Sequence, residues 1–165
     1  MKARLIKNIC WDQPKLKLYG RIHSVPRLTA FLGDYGISYK YSGINNQSEP
    51  WPDFFLPLLE DIRNYCGLYF NGCLINLYRN GNDRMGWHSD NENELDKSSS
   101  IASLSFGSQR DLCFKNIHRS SKCTLSLQSG DLLIMYPPCQ DNWKHSLPIR
   151  KKVAEPRINL TFRRY

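Results

Sequence analysis

The stretch MGWHSDNENE, residues 85–94, concentrates one imidazole and three carboxylates in a chain that is otherwise basic. His88 and Asp90 are two residues apart, so on a β-strand both side chains would lie on the same face. Such a group can be a solvated turn, a hydrolase site or a metal site. Imidazole and carboxylate are both metal ligands, and a basic protein that gathers carboxylates in one place can hold a cation there.

A metal site on this stretch needs a further ligand from elsewhere in the chain. The other histidines are His23, His118 and His145. His118 lies in the polar loop IHRSSK, His23 lies far upstream, and His145 comes shortly before the last predicted strand. The sequence therefore predicts a metal site of two histidines and one carboxylate. His88 and Asp90 supply two of its ligands, and His145 supplies the third. This set is typical of non-haem Fe(II) oxygenases, which keep coordination positions open for a cosubstrate and O2.

Two strand-like stretches carry polar residues at every second position. In RINLTFR, residues 157–163, the polar face consists of Arg157, Asn159, Thr161 and Arg163. In LINLYR, residues 74–79, Asn76 and Tyr78 share a face. If these faces converge inside a barrel they form a polar pocket, where a guanidinium can bind the far carboxylate of an iron-chelating dicarboxylate. The alternative is that each residue lies on the surface and pairs with Asp or Glu.

Short strands are predicted over most of the chain beyond Gly67. They cover residues 73–79, 101–106, 112–116, 124–128, 132–136 and 157–165, with less distinct strands near 16–22 and 37–43. Gly, Asn, Asp and Pro separate them at regular intervals. This pattern favours an all-β sandwich or barrel.

One helix is predicted before these strands. Pro57 can occupy its first turn, where a missing N–H has no effect, and Gly67 can supply a left-handed residue after its end. The apolar face would be formed by Leu58, Leu59, Ile62, Tyr65 and Cys66. Such a face predicts a helix that covers one side of a sheet.

Composition limits the class of protein. A chain of 165 residues is about one domain, and no apolar run is long enough to span a bilayer. We expect no signal peptide and an intracellular protein, cytoplasmic or, in a eukaryote, nuclear. The six cysteines form no Cys-x-x-Cys pair, so free thiols are expected. A formal net charge of +8 favours a polyanionic partner such as nucleic acid.

Several longer motifs resemble a known family. INLYRNGNDRMGWHSDNE, IASLSFGSQRDLCF, HSLP and PRINLTFR are similar to the AlkB family of Fe(II)/2-oxoglutarate dioxygenases, nearest to its nucleic-acid repair branch. YGRIHSVPRLTAFLGDYGISYKYSG resembles the substrate lid of that branch. The resemblance covers about residues 18–165, and its motifs occur in the family's order.

The resemblance implies a mainly β (α+β) fold. It is a double-stranded β-helix, or jelly roll, with helices packed on one sheet and an N-terminal nucleotide-recognition lid. We expect a single dioxygenase domain over residues 1–165, with the lid at about 15–50 and the core at about 68–165. The family usually has more sequence before the lid, so an N-terminal element is expected to be absent or trimmed.

The resemblance also assigns the site. Fe(II) would be held by His88, Asp90 and His145, and 2-oxoglutarate by Asn76, Tyr78, Arg157, Asn159, Thr161 and Arg163. O2 would be the further cosubstrate. The implied reaction is oxidative demethylation of 1-methyladenine and 3-methylcytosine in DNA. It converts 2-oxoglutarate to succinate and releases formaldehyde.

Such chemistry needs the target base to leave the duplex or to lie in a single strand. The resemblance places Tyr39 and Tyr41 beside the flipped base and Tyr19, followed by Gly20, at the gap that the base vacates. Asn91 stands where relatives contact the base and often carry aspartate. Candidates for phosphate contacts are Arg21 and Arg27, and with less support Arg110 and Lys151.

Alternatives remain open at this stage. One is an oxygenase of the same chemistry that acts on RNA or on a protein side chain. Another is a non-catalytic jelly-roll module that binds nucleic acid through its basic surface. A further one is a metallohydrolase with zinc on the histidines and Asp90, and Glu92 or Glu94 as base. The expected partner is alkylated DNA, with RNA second, and we expect a monomer without membrane contact.

Overall fold

The computed structural model of the protein describes residues 1–18, 20–41 and 44–165; the side chains of residues 16–18, 41 and 44 are outside this description. In chain order the elements are α1 (Lys2–Asn8), β1 (Lys15–Leu18), β2 (Arg21–Ser24), β3 (Leu28–Gly33), β4 (Ser38–Tyr41), β5 (Ile44–Gln47), α2 (Leu56–Cys66), β6 (Gly72–Tyr78), β7 (Met85–His88), β8 (Ile101–Gly107), β9 (Arg110–Asn116), β10 (Lys122–Leu127), β11 (Leu132–Met135), α3 (Cys139–Asn142), β12 (Trp143–Leu147) and β13 (Arg157–Arg163).

Two antiparallel sheets form the body of the protein. The larger has the strand order β11-β8-β13-β6-β3, and the smaller has the order β10-β9-β12-β7. Two further hairpins, β1-β2 and β4-β5, lie on either side of β3 in the sequence. This arrangement confirms the predicted mainly β, jelly-roll fold.

The larger sheet has an apolar face and a polar face because its strands alternate. Ile75 and Leu77 of β6, with Leu160 and Phe162 of β13, are buried in one hydrophobic cluster with residues of α1 and α2. The residues between them in sequence point to the opposite side, towards the smaller sheet. A second cluster, which includes Phe114 and other residues of the smaller sheet, packs in that space. The helices therefore cover one face of the larger sheet and leave its polar face inside the sandwich.

Helix α2 confirms the predicted helix and its ends. It contains Pro57 in its first turn, and Gly67 follows it with φ 62° in the left-handed region. Leu59 and Ile62 are buried against the larger sheet, as expected. Tyr65 is 80% exposed, so its assignment to the apolar face was wrong.

The predicted strands of the main body are present with shifts of a few residues. The segment near 16–22 is a hairpin rather than one strand, because Gly20 turns the chain with φ 78°. The strands β3, β5 and β12 were not predicted. The strand that carries His88 ends at that residue, so Asp90 lies just beyond it and not on it.

Contacts tie the N-terminal region to the body. Strand β3 is an edge strand of the larger sheet and pairs with β6. The backbone N–H of Lys40 in β4 donates a hydrogen bond to the Glu94 carboxylate, at 3.2 Å.

Within the described residues no helix is long and apolar enough to cross a bilayer. All six cysteines are free, as predicted.

We predict that Gly81→Ala destabilises the protein, because a methyl group there would overlap the backbone carbonyl of Arg150. Gly81 also exchanges two backbone hydrogen bonds, with Val153 and Arg150, each at 2.7 Å. The free energy of unfolding should fall by about 3 kcal/mol, as measured by denaturant unfolding. Gly86→Ala is the matched control, since the space around Gly86 is open. A result in which both variants unfold like the wild type would contradict this account.

Candidate active site

Adjacent strands of the smaller sheet carry the two predicted histidine ligands. His88 at the end of β7 and His145 in β12 are direct partners in the antiparallel register. Their ring centroids are 4.2 Å apart. Asp90 follows β7 by two residues, and its carboxylate is buried. The three potential ligand atoms lie within 4.8 Å of one another. The structure thus brings the predicted triad together.

Hydrogen bonds orient two members of this triad. The His88 Nδ1 atom lies 2.9 Å from the carbonyl oxygen of Gly86, which can only accept a hydrogen. Nδ1 therefore carries the proton, and Nε2 is left with the lone pair that a metal requires. The backbone N–H of Asp90 donates to the side-chain carbonyl of Gln140 at 2.9 Å, which holds the loop after β7.

A buried ion pair keeps the Asp90 carboxylate charged. Burial alone would raise its pKa, but the Arg163 guanidinium, together with His88 and His145, holds this pKa well below its usual value. Arg163 Nη2 lies 2.7 Å from Asp90 Oδ1. Burial lowers the pKa of the His145 imidazole to about 4, and the Asp90 charge offsets this only in part. At neutral pH the site offers a carboxylate and, at His145, a neutral imidazole.

The polar face of β13 lies beside the triad, as the alternation predicted. The register pairs Arg157 with Tyr78 and Asn159 with Asn76 across β13 and β6. Arg157 is buried, donates to Ser105 Oγ at 2.9 Å, and has a buried Nε without a hydrogen-bond partner among the described residues. None of the ion pairs within the described chain involves Arg157. A buried guanidinium without an ion pair is unfavourable, so Arg157 marks a position where an anion can bind.

The triad and the polar residues of β6 and β13 line one cavity. Its volume is about 930 Å³ when the solvent at its mouth is included. The predicted metal and 2-oxoglutarate residues all line it: His88, Asp90, His145, Asn76, Tyr78, Arg157, Asn159, Thr161 and Arg163. The metal-binding triad and the residues predicted to hold the diacid therefore share one cavity. It also has apolar walls, among them Leu112 and Met135.

Two of the predicted substrate residues also line this cavity. Tyr39 is buried, with its ring edge-to-face against Phe31 at 4.7 Å. Arg27 is buried and donates from Nε to the Asn76 side-chain oxygen at 2.7 Å. Arg27 therefore lies in the cavity wall, and the prediction that it contacts phosphate stays a prediction.

Other predicted substrate residues lie elsewhere. Gly20 and Arg21 are exposed at the β1–β2 turn. Asn91 is exposed, and its side-chain oxygen accepts from Lys97 Nζ at 2.6 Å, outside the main cavity. Tyr19 is not among the described residues, and of Tyr41 only the backbone is described, so their roles stay predictions.

The other two candidates for phosphate contacts, Arg110 and Lys151, differ in burial. Arg110 is buried and donates to three backbone carbonyls, those of Asn80, Asp83 and Pro148. It therefore joins loops inside the protein and is not a phosphate contact. Lys151 is exposed, and its predicted role is unchanged.

Glu92 is a cavity residue that the sequence analysis did not place in the substrate site. It lines the cavity beside Tyr39, and its Oε1 lies 3.5 Å from Arg163 Nη1. Its Oε2 is buried and has no hydrogen-bond partner within the described structure. The signal for Glu92 in the sequence was the acidic run that begins at Asp90 and not strand alternation, because β7 ends at His88.

Comparison with known proteins agrees with this geometry. The chain belongs to the 2OG-Fe(II) oxygenase superfamily, whose family model matches residues 2–163. Its similarity to AlkB homologues confirms the predicted family within that superfamily. It is 43% identical over 164 residues to human "DNA oxidative demethylase ALKBH2", covering 91% of this chain and 60% of the relative. It is 35% identical over 173 residues to human "Alpha-ketoglutarate-dependent dioxygenase alkB homolog 3", covering 96% and 60%.

A solved structure supports the fold. OsALKBH1 superposes with a TM-score of 0.63 at 20% identity, over 93% of this chain and 81% of that one. The chain spans about 60% of the length of the curated human relatives.

The residues of the site fit the two groups that the family's name implies. Two imidazoles and a charged carboxylate form the donor set of non-haem Fe(II). The orphaned Nε atoms of Arg157 and Arg163 supply donors for a diacid such as 2-oxoglutarate. A metallohydrolase would leave the buried arginines of β13 without an assigned role, whereas an oxygenase that uses a diacid accounts for them.

We predict that the metal-free protein loses stability between about pH 7 and about pH 5. The folded chain keeps His145 neutral down to about pH 4, whereas the unfolded chain protonates it near 6.5. Below the unfolded pKa of 6.5 each pH unit costs about 1.4 kcal/mol, so the free energy of unfolding should fall by about 2 kcal/mol by pH 5.

Denaturant unfolding at several pH values measures this loss. His145→Gln should flatten the pH dependence, because the titrating ring is gone. His118→Gln should keep the wild-type dependence, since that ring is already in water. The same slope in His145→Gln as in the wild type would refute the prediction.

Proposed function

We propose that this protein is an Fe(II)- and 2-oxoglutarate-dependent demethylase of alkylated bases in DNA, with 1-methyladenine and 3-methylcytosine as substrates. With iron bound, one oxygen atom of O2 enters succinate as 2-oxoglutarate loses CO2, and the other is inserted into a C–H bond of the N-methyl group. The resulting hydroxymethyl group leaves as formaldehyde, and the ring nitrogen regains its hydrogen or lone pair.

The observation that carries the proposal is the shared cavity. His88, Asp90 and His145 would hold the metal, and Arg157 would bind the distal carboxylate of 2-oxoglutarate a short distance away. The polar amide of Asn76 and the hydroxyl of Tyr78 would orient the same ligand. Buried charge on Arg157 makes this end of the cavity specific for an anion.

The same cavity has groups that suit an aromatic base. Tyr39 offers a buried ring edge, and Glu92 offers a carboxylate oxygen that no group in the described structure uses. Segments before residue 50, including Pro14, Val25 and Asn46, also line the cavity. We therefore assign residues of about 15–50 to a substrate lid and residues of about 68–165 to the catalytic core of a single domain.

DNA is the preferred substrate in this proposal. The net charge of +8 attracts polyanions, and the relatives at 43% identity carry the name DNA oxidative demethylase. A base must leave the stack to reach the cavity. The proposal places the protein inside the cell, in the nucleus of a eukaryote, and acting as a monomer.

The test is incubation of the iron-loaded protein with 2-oxoglutarate and an oligonucleotide that contains 1-methyladenine, followed by mass spectrometry. We expect the oligonucleotide to lose one methylene mass for each succinate formed. Succinate production without any loss of mass from DNA, in single or double strands, would overturn the DNA substrate. Loss from RNA alone would move the assignment to RNA.

A variant tests the role of the buried arginine. Arg157→Gln should raise the KM for 2-oxoglutarate at least about 30-fold, because the diacid loses a buried charged partner. Arg84→Gln is the matched control, since Arg84 is exposed and away from the cavity lining. An unchanged KM in Arg157→Gln would contradict the assignment of this end of the cavity.

A further inference from the structure

Three lysines form a row across the outer face of the smaller sheet. Lys122 of β10 and Lys144 of β12 are both direct partners of Lys115 in β9. Their sequence neighbours Phe114 and His145 are buried, Phe114 in the second hydrophobic cluster and His145 at the cavity. Because side chains alternate along a strand, the lysines point to the opposite side, where Lys122 and Lys144 are exposed and Lys115 is partly buried. We call Lys115, Lys122 and Lys144 the lysine row.

The lysine row is a concentration of uncompensated charge. Like charges directly opposite each other on neighbouring strands are destabilising. No ion pair in the described part of the chain includes any of these lysines. Asp111 belongs to the same strand as Lys115, but its carboxylate is paired with Arg150 at 2.7 Å. An anion bound to the lysine row would therefore reduce the repulsion between its ammonium groups.

An exposed aromatic ring lies next to the row. Trp87 of β7 is 43% exposed, although a tryptophan is normally much more buried. Lys115 Nζ lies 4.7 Å from the centroid of its ring. A flat ring and an ammonium group side by side suit a chain in which bases alternate with phosphates.

This surface begins next to the active site. Trp87 directly precedes His88, which faces the cavity from the same edge strand, β7. The sheet continues from β7 through β12 and β9 to β10. At about 4.8 Å per strand, the surface extends about 14 Å from Trp87 to Lys122. A strand whose base enters the cavity can thus continue over this face.

We propose that the outer face of the smaller sheet binds the single-stranded nucleic acid that flanks the target base. A flanking base stacks on Trp87, and Lys115, Lys122 and Lys144 contact successive phosphates. Lys115 leaves the indole ring as its ammonium pairs with a phosphate. This inference rests on the proposed function, since it concerns the same substrate beyond the cavity. A single strand fits better than a duplex because a paired base cannot offer its face to Trp87.

The first experiment measures binding, which does not depend on turnover. Fluorescence anisotropy follows an unmethylated single-stranded oligonucleotide of about 15 nucleotides between about 50 and 200 mM salt. In Lys115→Gln/Lys122→Gln/Lys144→Gln the slope of log K against log salt should become shallower by about 2, as three phosphate contacts are lost at ~0.7 each. The matched control is Arg4→Gln/Lys7→Gln/Lys152→Gln, which removes equal charge from exposed positions elsewhere and should keep a steeper slope.

The variants should fold, because removal of opposed like charges does not lower the melting temperature. If the triple variant unfolds, Lys122→Gln alone, exposed on the edge strand β10, should reduce the slope by about 0.7. Trp87→Leu should weaken binding about 5-fold or more. It should also reduce the quenching of the protein's tryptophan fluorescence by the bound oligonucleotide. Trp87→Phe should retain most of the affinity.

The result that overturns the inference is a triple variant whose salt slope equals that of its control. Equal losses for duplex and single strand would overturn the single-strand assignment. Loss of binding to phosphatidylserine vesicles, with oligonucleotide binding intact, would assign the face to membranes instead.

A turnover arm separates this inference from the proposed function. An oligonucleotide of about 4 nucleotides that carries 1-methyladenine reaches the cavity but not the whole row. Wild-type protein that demethylates neither this substrate nor a long one contradicts the proposed function. If both are demethylated, the triple variant should lower kcat/KM for the long substrate only, and an equal loss for both lengths would contradict the lysine row.

Discussion

The ion pair between Arg163 and Asp90 is the interaction on which the site depends. It joins the central strand of one sheet to the loop that follows β7 of the other, at 2.7 Å and with both side chains under 5% exposed. Neither charge is tolerable in the interior without the other. The pair therefore fixes the position of one metal ligand relative to the arginine face of β13. It also keeps Asp90 ionised, as metal binding requires.

The sandwich separates stability from chemistry by the alternation of its strands. Along β13, Ile158, Leu160 and Phe162 pack with the helices, while the intervening polar residues line the cavity. The apolar layer under α1 and α2 supplies the burial that a domain of this size needs. The space between the sheets is left free to hold charged and hydrogen-bonding groups whose partners are ligands.

The residues that the sequence predicted best are those that follow a period of two. That spacing placed Asn76, Tyr78 and the polar face of β13 in one cavity. Asp90 and Glu92 also reach this cavity, but they lie beyond the end of β7, where a period of two does not apply. Arg27 could not be placed, because its contact with Asn76 joins residues from distant parts of the chain.

Helix α2 shows that the spacing of apolar residues along a helix is not sufficient to predict which of them are buried. Tyr65 lies about 120° around the helix from Leu59, at the margin of the apolar stripe. Whether such a margin residue is buried depends on the surface opposite, which the helix sequence does not contain. Strand β3 was missed for a similar reason, since an edge strand is defined by the neighbour that it pairs with.

The place of β13 in the larger sheet has a consequence for the order in which the domain is built. β13 is the last strand in the chain, yet it lies between β8 and β6 and pairs with both. During synthesis those two strands emerge first and cannot join until residues 157–163 arrive. The larger sheet therefore cannot close before residues 157–163 are available, and until then the strand edges of β8 and β6 that β13 will cover stay unpaired.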